Sequence, residues 1–195
     1  MPIQDNLKTT LRSEIQWIVR SIQPFDHQEK EHRAFVETWL YSDAEIFRIA
    51  KPATPNPHLV SYFLLVDQTA NQVLLVDHKK ADLWLPPGGH VEPNEHPKET
   101  VKREVIEELG IEADFLSHDP QFITVAQTTG KDSHTDVSLW YVLKGRNTGD
   151  FKYDTSEFHK IQWFSPRSIP YQHSDPHLPR CLQKLTALKI MKRSP

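Results

Sequence analysis

Residues 86–111, PPGGHVEPNEHPKETVKREVIEELGI, constrain the fold more than any other stretch of the chain. Two prolines followed by two glycines break any regular element and set a turn. Pro97 suits the first turn of a helix and Gly110 suits the position just past its end. The spacing therefore predicts a helix over 97–109. With about 100° per residue and Glu104 at zero, Glu107 falls near −60° and Glu108 near +40°. Three carboxylates thus share one face. Val101, Val105, Leu109 and Ile106 span the sector from about +60° to about +200° and are predicted to be buried. Each side-by-side pair of like charges costs a few tenths of a kcal/mol in an isolated helix, so something must offset the repulsion.

The rest of the chain reads in two parts. Leu7, Leu11, Ile15, Ile18 and Ile22 recur at spacings of three and four, one apolar helical face. Gln23-Pro24 ends that run. Asp26 and Glu29 resemble a capping box ahead of a second stripe, Phe35, Val36, Trp39 and Leu40. Ser42 with Glu45 suggests a third, short helix. KPATPNP at 51–57 is a stiff connector. Beyond it the pattern becomes that of strands. LVSYFLLVD (59–67) and VLLVD (73–77) read as a hairpin, QFITVAQ (121–127) and VSLWYVL (137–143) as two strands joined through the turn TGKD, and KIQWF (160–164) as a fifth strand. Asp175 as N-cap and Pro176 at the first helical position predict a last helix running to about Lys192. The expected organisation is an N-terminal helical extension (1–50), the connector (51–57) and a domain over 58–195. The fold class is α/β or α+β, a sheet between helices.

With 195 residues the chain can bury roughly 70% of its unfolded surface without covalent staples. The single cysteine, Cys181, leaves no internal disulfide framework and is expected as a small buried residue of the last helix. A net charge of −3 gives no footprint for a nucleic-acid backbone. The N-terminus lacks the basic head and apolar run of a signal peptide, and no run nears the roughly 20 apolar residues of a bilayer span. These features lead to the expectation of a cytoplasmic protein that binds neither nucleic acid nor membrane.

Residues 95–112 hold six glutamates against Lys98, Lys102 and Arg103, so the acidic excess of the whole chain is concentrated there. Hard oxygen donors on one helix face suit Mg²⁺ or Mn²⁺, which keep several waters and are completed by substrate phosphate oxygens. Spacing alone does not separate this from a solvated acidic face. The combination with the glycine turn, Arg103 and the outlying Glu95 does.

Gly89, Glu95 and Arg103-Glu104-Val105-Ile106-Glu107-Glu108-Leu109-Gly110-Ile111 match every position of G-x5-E-x7-R-E-U-x-E-E-x-G-U, where U is a bulky aliphatic. Seven fixed letters recur by chance roughly once in a billion windows. The segment resembles the Nudix box, and the resemblance covers about 58–165. It implies a Nudix fold, a mixed β-sheet between helices, and hydrolysis of a pyrophosphate bond in a nucleoside diphosphate linked to another group. It implies that Glu104, Glu107 and Glu108 hold Mg²⁺ or Mn²⁺, with the Gly89 carbonyl as a further ligand, and that Glu104 or Glu108 serves as base toward the attacking water. It implies that Glu95 and Arg103 hold the box loops in shape. WLPPGGHVE is similar to a subgroup with helices ahead of the domain.

Family members often add an acid from a later loop, for which Glu157 and Asp154 are the candidates. His90, directly after the two glycines, could touch a phosphate, and Trp84 on the rim could stack on a base. Trp140 and Tyr141, adjacent on a strand, point to opposite faces. Eleven histidines contain no H-E-x-x-H pattern, and Pro176 between His173 and His177 spoils a shared helix face. The expected partner is a small nucleotide, with nucleoside triphosphates and sugar nucleotides both open, since the residues from 126 to 129, Ala-Gln-Thr-Thr, carry no subtype mark. A Nudix-like module that binds a nucleotide without cleaving it is the alternative, disfavoured by an unbroken box. A homodimer is left open.

Overall fold

The computed structural model describes residues 2–51, 54–128 and 133–193, with side chains from Thr10 onward in the first helix. The elements in chain order are α1 (Pro2–Ser21), α2 (His27–Tyr41), β1 (His58–Asp67), β2 (Gln72–His78), β3 (Leu83–Leu85), β4 (Gly88–His90), α3 (Pro97–Leu109), β5 (Phe122–Gln127), β6 (Thr135–Lys144), β7 (Phe158–Phe164), a short 3₁₀ turn (Tyr171–His173) and α4 (Leu178–Ala187). The seven strands form a mixed sheet of order β3-β2-β1-β6-β5, with β4 on β1 and β7 on β2. The α+β class expected from the sequence is the one found. Residues cluster into two compact units, 1–61 with 89–100 and 119–140, and 62–88 with 101–118 and 141–195.

In the first unit, Asp26 caps α2 through Glu29 N–H at 2.8 Å. Glu29, fully buried, accepts from Phe25 N–H at 2.6 Å and from Ile123 N–H of β5 at 3.3 Å. The capping pair read from the sequence is present, with one acid oxygen lent to a strand. The C-terminus of α2 has no basic residue in its last turn, and α1 supplies the donors instead. Arg12 and Gln16 reach the Leu40 carbonyl at 3.1 and 2.9 Å, satisfying an oxygen the helix leaves orphaned. Ile15, Ile18 and Val19 form the buried stripe of α1, continued by Ile22 just past its end, while the side chain of Leu7 lies outside the described residues. Phe35 of the predicted α2 stripe is exposed.

In the second unit the β1–β2 hairpin pairs Val66 with Val73 and Asp67 with Gln72. The Asp67 carboxylate accepts from Thr69 and Ala70 N–H, both at 2.9 Å, and closes the turn. Chiefly the Ala70 and Asn147 amides hold that carboxyl below its usual range. β2 also pairs along β7, from Val73 with Phe164 to His78 with Phe158.

Four expectations need correction. Residues 42–49 form no helix, because Ser42 Oγ turns back to the Trp39 carbonyl at 2.7 Å and Leu59 N–H draws the Ile46 carbonyl into an extended contact at 2.8 Å. The last helix begins at Leu178 and stops at Ala187. Asp175 spends its carboxylate on His177 N–H at 2.7 Å, and Lys189 takes a positive φ of 60° beyond the end. Ile106 is exposed, at the outer limit of the sector predicted to be buried, whereas Val101, Val105 and Leu109 are fully buried. The short strands β3 and β4 were not anticipated. Trp140 and Tyr141 are both buried, so opposite directions on β6 do not leave either ring in solvent. The predicted turn TGKD lies outside the described residues. Cys181 is buried, as expected. Among the described residues no helix is long and apolar enough to cross a membrane.

Candidate active site

The site is built on α3. Pro97 opens the helix, and Gly110, at φ +67°, ends it with its N–H on the Ile106 carbonyl at 3.0 Å. Burial of Val101, Val105 and Leu109 fixes the rotation of the helix and thereby aims Glu104, Glu107 and Glu108. Arg103 binds two of them. Its Nη1 lies 2.7 Å from Glu104 Oε1 and 3.3 Å from Glu107 Oε2. Glu107 is the outer member, with its side chain 58% exposed, against 13% for Glu104.

Glu108 is different. It is 5% exposed, and its Oε2 has no hydrogen-bond partner in the protein. Burial first, then the charges of Glu104 and Glu157, push its carboxyl well above the usual 4.5, against a hydrogen bond from the Gly88 N–H. Burial likewise raises Glu104, partly opposed by Arg103. The donor to Glu108 is Gly88, whereas the sequence argument centred on Gly89. The signal is the doubled glycine: Gly88 sits at φ 146°, a backbone region closed to most side chains.

Between the two later acids the structure distinguishes clearly. Asp154 turns its carboxylate onto Ser156 N–H at 2.7 Å, and contacts with Ser156 lower its pKa. It is spent on its own turn. Glu157 acts electrostatically on both Glu104 and Glu108. Its backbone is tied to β2 by Lys79 N–H on the Glu157 carbonyl at 2.9 Å. Trp84 packs edge-on against Phe164, centroids 4.9 Å apart, with Lys160 Nζ 5.1 Å from its ring centre. One face of that ring already carries a cation.

Gly89, His90 and Glu95 belong to the first unit. Glu95 Oε2 accepts from Glu92 N–H at 3.1 Å and from Thr100 Oγ at 2.8 Å, which joins the loop before α3 to its first turn. His90 Nε2 lies 3.1 Å from Arg48 Nη1.

The α3 carboxylates fit a divalent cation. A buried oxygen with no partner, two carboxyls raised by burial and like charge, and a single Arg103 guanidinium shared between Glu104 and Glu107 leave uncompensated negative potential.

Comparison with known proteins gives the family and the fold. The family model for the NUDIX domain matches residues 57–185. A Bacillus subtilis (strain 168) protein described as a candidate 8-oxo-dGTP diphosphatase is 43% identical over 108 residues, which cover 55% of this chain and 67% of the relative. A NUDIX-family hydrolase from Clostridium perfringens superposes with a TM-score of 0.53 at 23% identity, covering 69% of this chain and 98% of that one. An Ap4A hydrolase from C. elegans superposes with a TM-score of 0.54 at 19% identity, covering 68% and 97%. The two structures share the fold. The family match, spanning well over half the chain and containing the whole glutamate helix, identifies the protein as a member of the Nudix family, a Nudix pyrophosphohydrolase.

Proposed function

We propose that this chain cleaves a pyrophosphate bond in a small nucleotide, a nucleoside diphosphate linked to another group, by attack of water at phosphorus. The observation that carries the reading is Glu108: a nearly buried carboxylate with one oxygen unpartnered, beside Glu104 and Glu157. Glu104, Glu107 and Glu108 would hold Mg²⁺ or Mn²⁺, with Glu157 adding charge from the β7 side. The ion supplies Lewis-acid polarisation of the phosphoryl oxygens and lowers the pKa of bound water.

The protein's own part is positional. Arg103 fixes Glu104 and restrains Glu107 through one guanidinium nitrogen. The Gly88 N–H holds the Glu108 carboxylate, whose Oε2 is buried and has no hydrogen-bond partner in the protein. The proton of the attacking water passes to Glu104 or Glu108. The name of the B. subtilis relative makes a nucleoside triphosphate with an oxidised purine the first substrate to try.

The test is a panel of ordinary and oxidised nucleoside triphosphates, sugar nucleotides and dinucleoside polyphosphates, assayed with Mg²⁺ and with Mn²⁺, against Glu108→Gln. Loss of most turnover in the variant supports the assignment, and equal turnover of the best substrate overturns it. A nucleotide that raises the melting temperature of the parent without being cleaved would make the chain a binding module instead.

A further inference from the structure

The first unit gathers His58, His90, His134 and Asp136, each offering one ligand atom, all within 4.8 Å of one another. His58 opens β1, His90 closes β4, His134 precedes β6 and Asp136 lies within it. His134 and Asp136 are two residues apart, the spacing that puts both side chains on one face of an extended chain.

We infer that this group is a second metal site, specific for Zn²⁺ or a similar imidazole-seeking ion and separate from the glutamate site. The lone pairs carry the argument. His58 Nδ1 lies 2.7 Å from the Pro55 carbonyl, which can only accept, so Nδ1 bears the proton. The ring is fully buried, and in the neutral imidazole a proton on Nδ1 leaves the lone pair on Nε2, an atom with no hydrogen-bond partner. Nε2 faces Asp136 Oδ1 at 3.4 Å, and that buried oxygen has no hydrogen-bond partner either. His134 Nε2 lies 3.2 Å from the same oxygen. Acceptors that converge in a dry place repel unless a cation sits among them.

The distances suit a metal. Bonds of 2.0–2.1 Å in a tetrahedron set ligand atoms about 3.3–3.4 Å apart. The His58–Asp136 and His134–Asp136 separations of 3.4 and 3.2 Å match that edge. Outer contacts are also in place: the Pro55 carbonyl on His58 and, on His134, Thr128 Oγ, 3.3 Å from Nδ1 and accepting the His134 N–H at 2.9 Å. The carbonyl fixes the tautomer of His58, and the Thr128 contacts help to orient the His134 ring. Asn56 Oδ1 accepts from Thr135 N–H at 2.7 Å and pins the connector beside the group. Several imidazoles with one carboxylate select Zn²⁺ over Mg²⁺, which wants oxygen.

His90 is the conditional fourth ligand. Its Nε2 accepts from Arg48 at 3.1 Å, which places its proton on Nδ1. Binding through either nitrogen requires Arg48 to release the ring. The core of the site is thus His58, His134 and Asp136, closed by His90 when Arg48 moves aside.

The experiment is competition for Zn²⁺ against a chromophoric chelator, with Co²⁺ substitution read by visible absorption. The parent is expected to bind one Zn²⁺ per chain and to give Co²⁺ bands of tetrahedral intensity. His134→Gln and Asp136→Asn should each weaken Zn²⁺ binding by about 100-fold or more, since outer-contact changes alone cost 10–100-fold. Metal-free melting curves of both variants show whether they still fold. Glu108→Gln should keep the site, and a large excess of Mg²⁺ should not displace Zn²⁺. Zn²⁺ bound equally by the parent and a folded His134→Gln, or lost in Glu108→Gln instead, overturns the assignment.

Discussion

Glu108→Gln in metal-free protein should raise stability, and the sign of the change should reverse once Mg²⁺ is present. Glu108 is 5% exposed, with one oxygen unpartnered and Glu104 and Glu157 bearing on it. Its folded pKa is raised, so the folded chain keeps a proton that the unfolded chain releases near 4.5. The stability this gives is full below about pH 4.5 and is lost as pH climbs through the raised value. Once pH has passed the raised value the parent carries a strained, unsatisfied charge, and a neutral amide of the same shape removes it. Leaving a buried polar group unsatisfied costs about 1–3 kcal/mol, so the variant without metal should gain roughly 1 kcal/mol, or about 2–4 °C in Tm. With Mg²⁺ at about 100 times its Kd the parent gains about 2.7 kcal/mol, roughly 5–11 °C, and the variant gains little. Differential scanning fluorimetry in EDTA and in Mg²⁺ measures both. A variant that melts below the parent in EDTA, or that responds to Mg²⁺ as strongly as the parent, refutes the reasoning.

Three further outcomes are expected. Gly88→Ala forces a side chain into φ 146° and disturbs the amide on Glu108, so turnover should fall by about tenfold or more, with a loss of about 1–3 kcal/mol from backbone strain, read by kinetics and melting. Glu29→Ala strips the part-buried Phe25 amide and the buried Ile123 amide of a partner and should destabilise by roughly 2–4 kcal/mol in chemical denaturation. His78 is held neutral mainly by burial, with its Nδ1 accepting from Lys80 and Ala81 N–H, so its folded pKa lies below the usual 6.5. The unfolded chain then binds more protons, and this contribution, present above pH 6.5, erodes as pH falls, by at most about 1.4 kcal/mol per pH unit. Subtracting the curve of His78→Asn, which keeps an acceptor, isolates that slope, and a flat difference would refute it.

What the sequence made legible follows the range of each signal. The helix over 97–109 has a proline start, a glycine stop and a buried stripe within a few turns, and it appears with those bounds. The hairpin between 59 and 77 announces itself by two β-branched runs and a polar turn. Strands β3 and β4 have three residues each, too few to show an alternation. Ser42 and Asp175 carry the chemistry of helix N-caps, but each spends its side chain locally on a turn, a choice set by surrounding contacts. The family resemblance could name Glu157 and Asp154 but could not choose between them, since the choice rests on the Ser156 amide that occupies Asp154. The histidine group was illegible for a simpler reason. Its members come from β1, β4 and the start of β6, and no short motif spans 78 positions of chain.

The carboxylate of Glu29 has one further consequence. β5 is the last strand in the sheet order, and the Ile123 amide on its outer side ends on an acid from α2. An open strand edge invites pairing with another chain. α2 therefore acts as a selvedge on that edge, and without it the strand would stand open to a neighbouring chain.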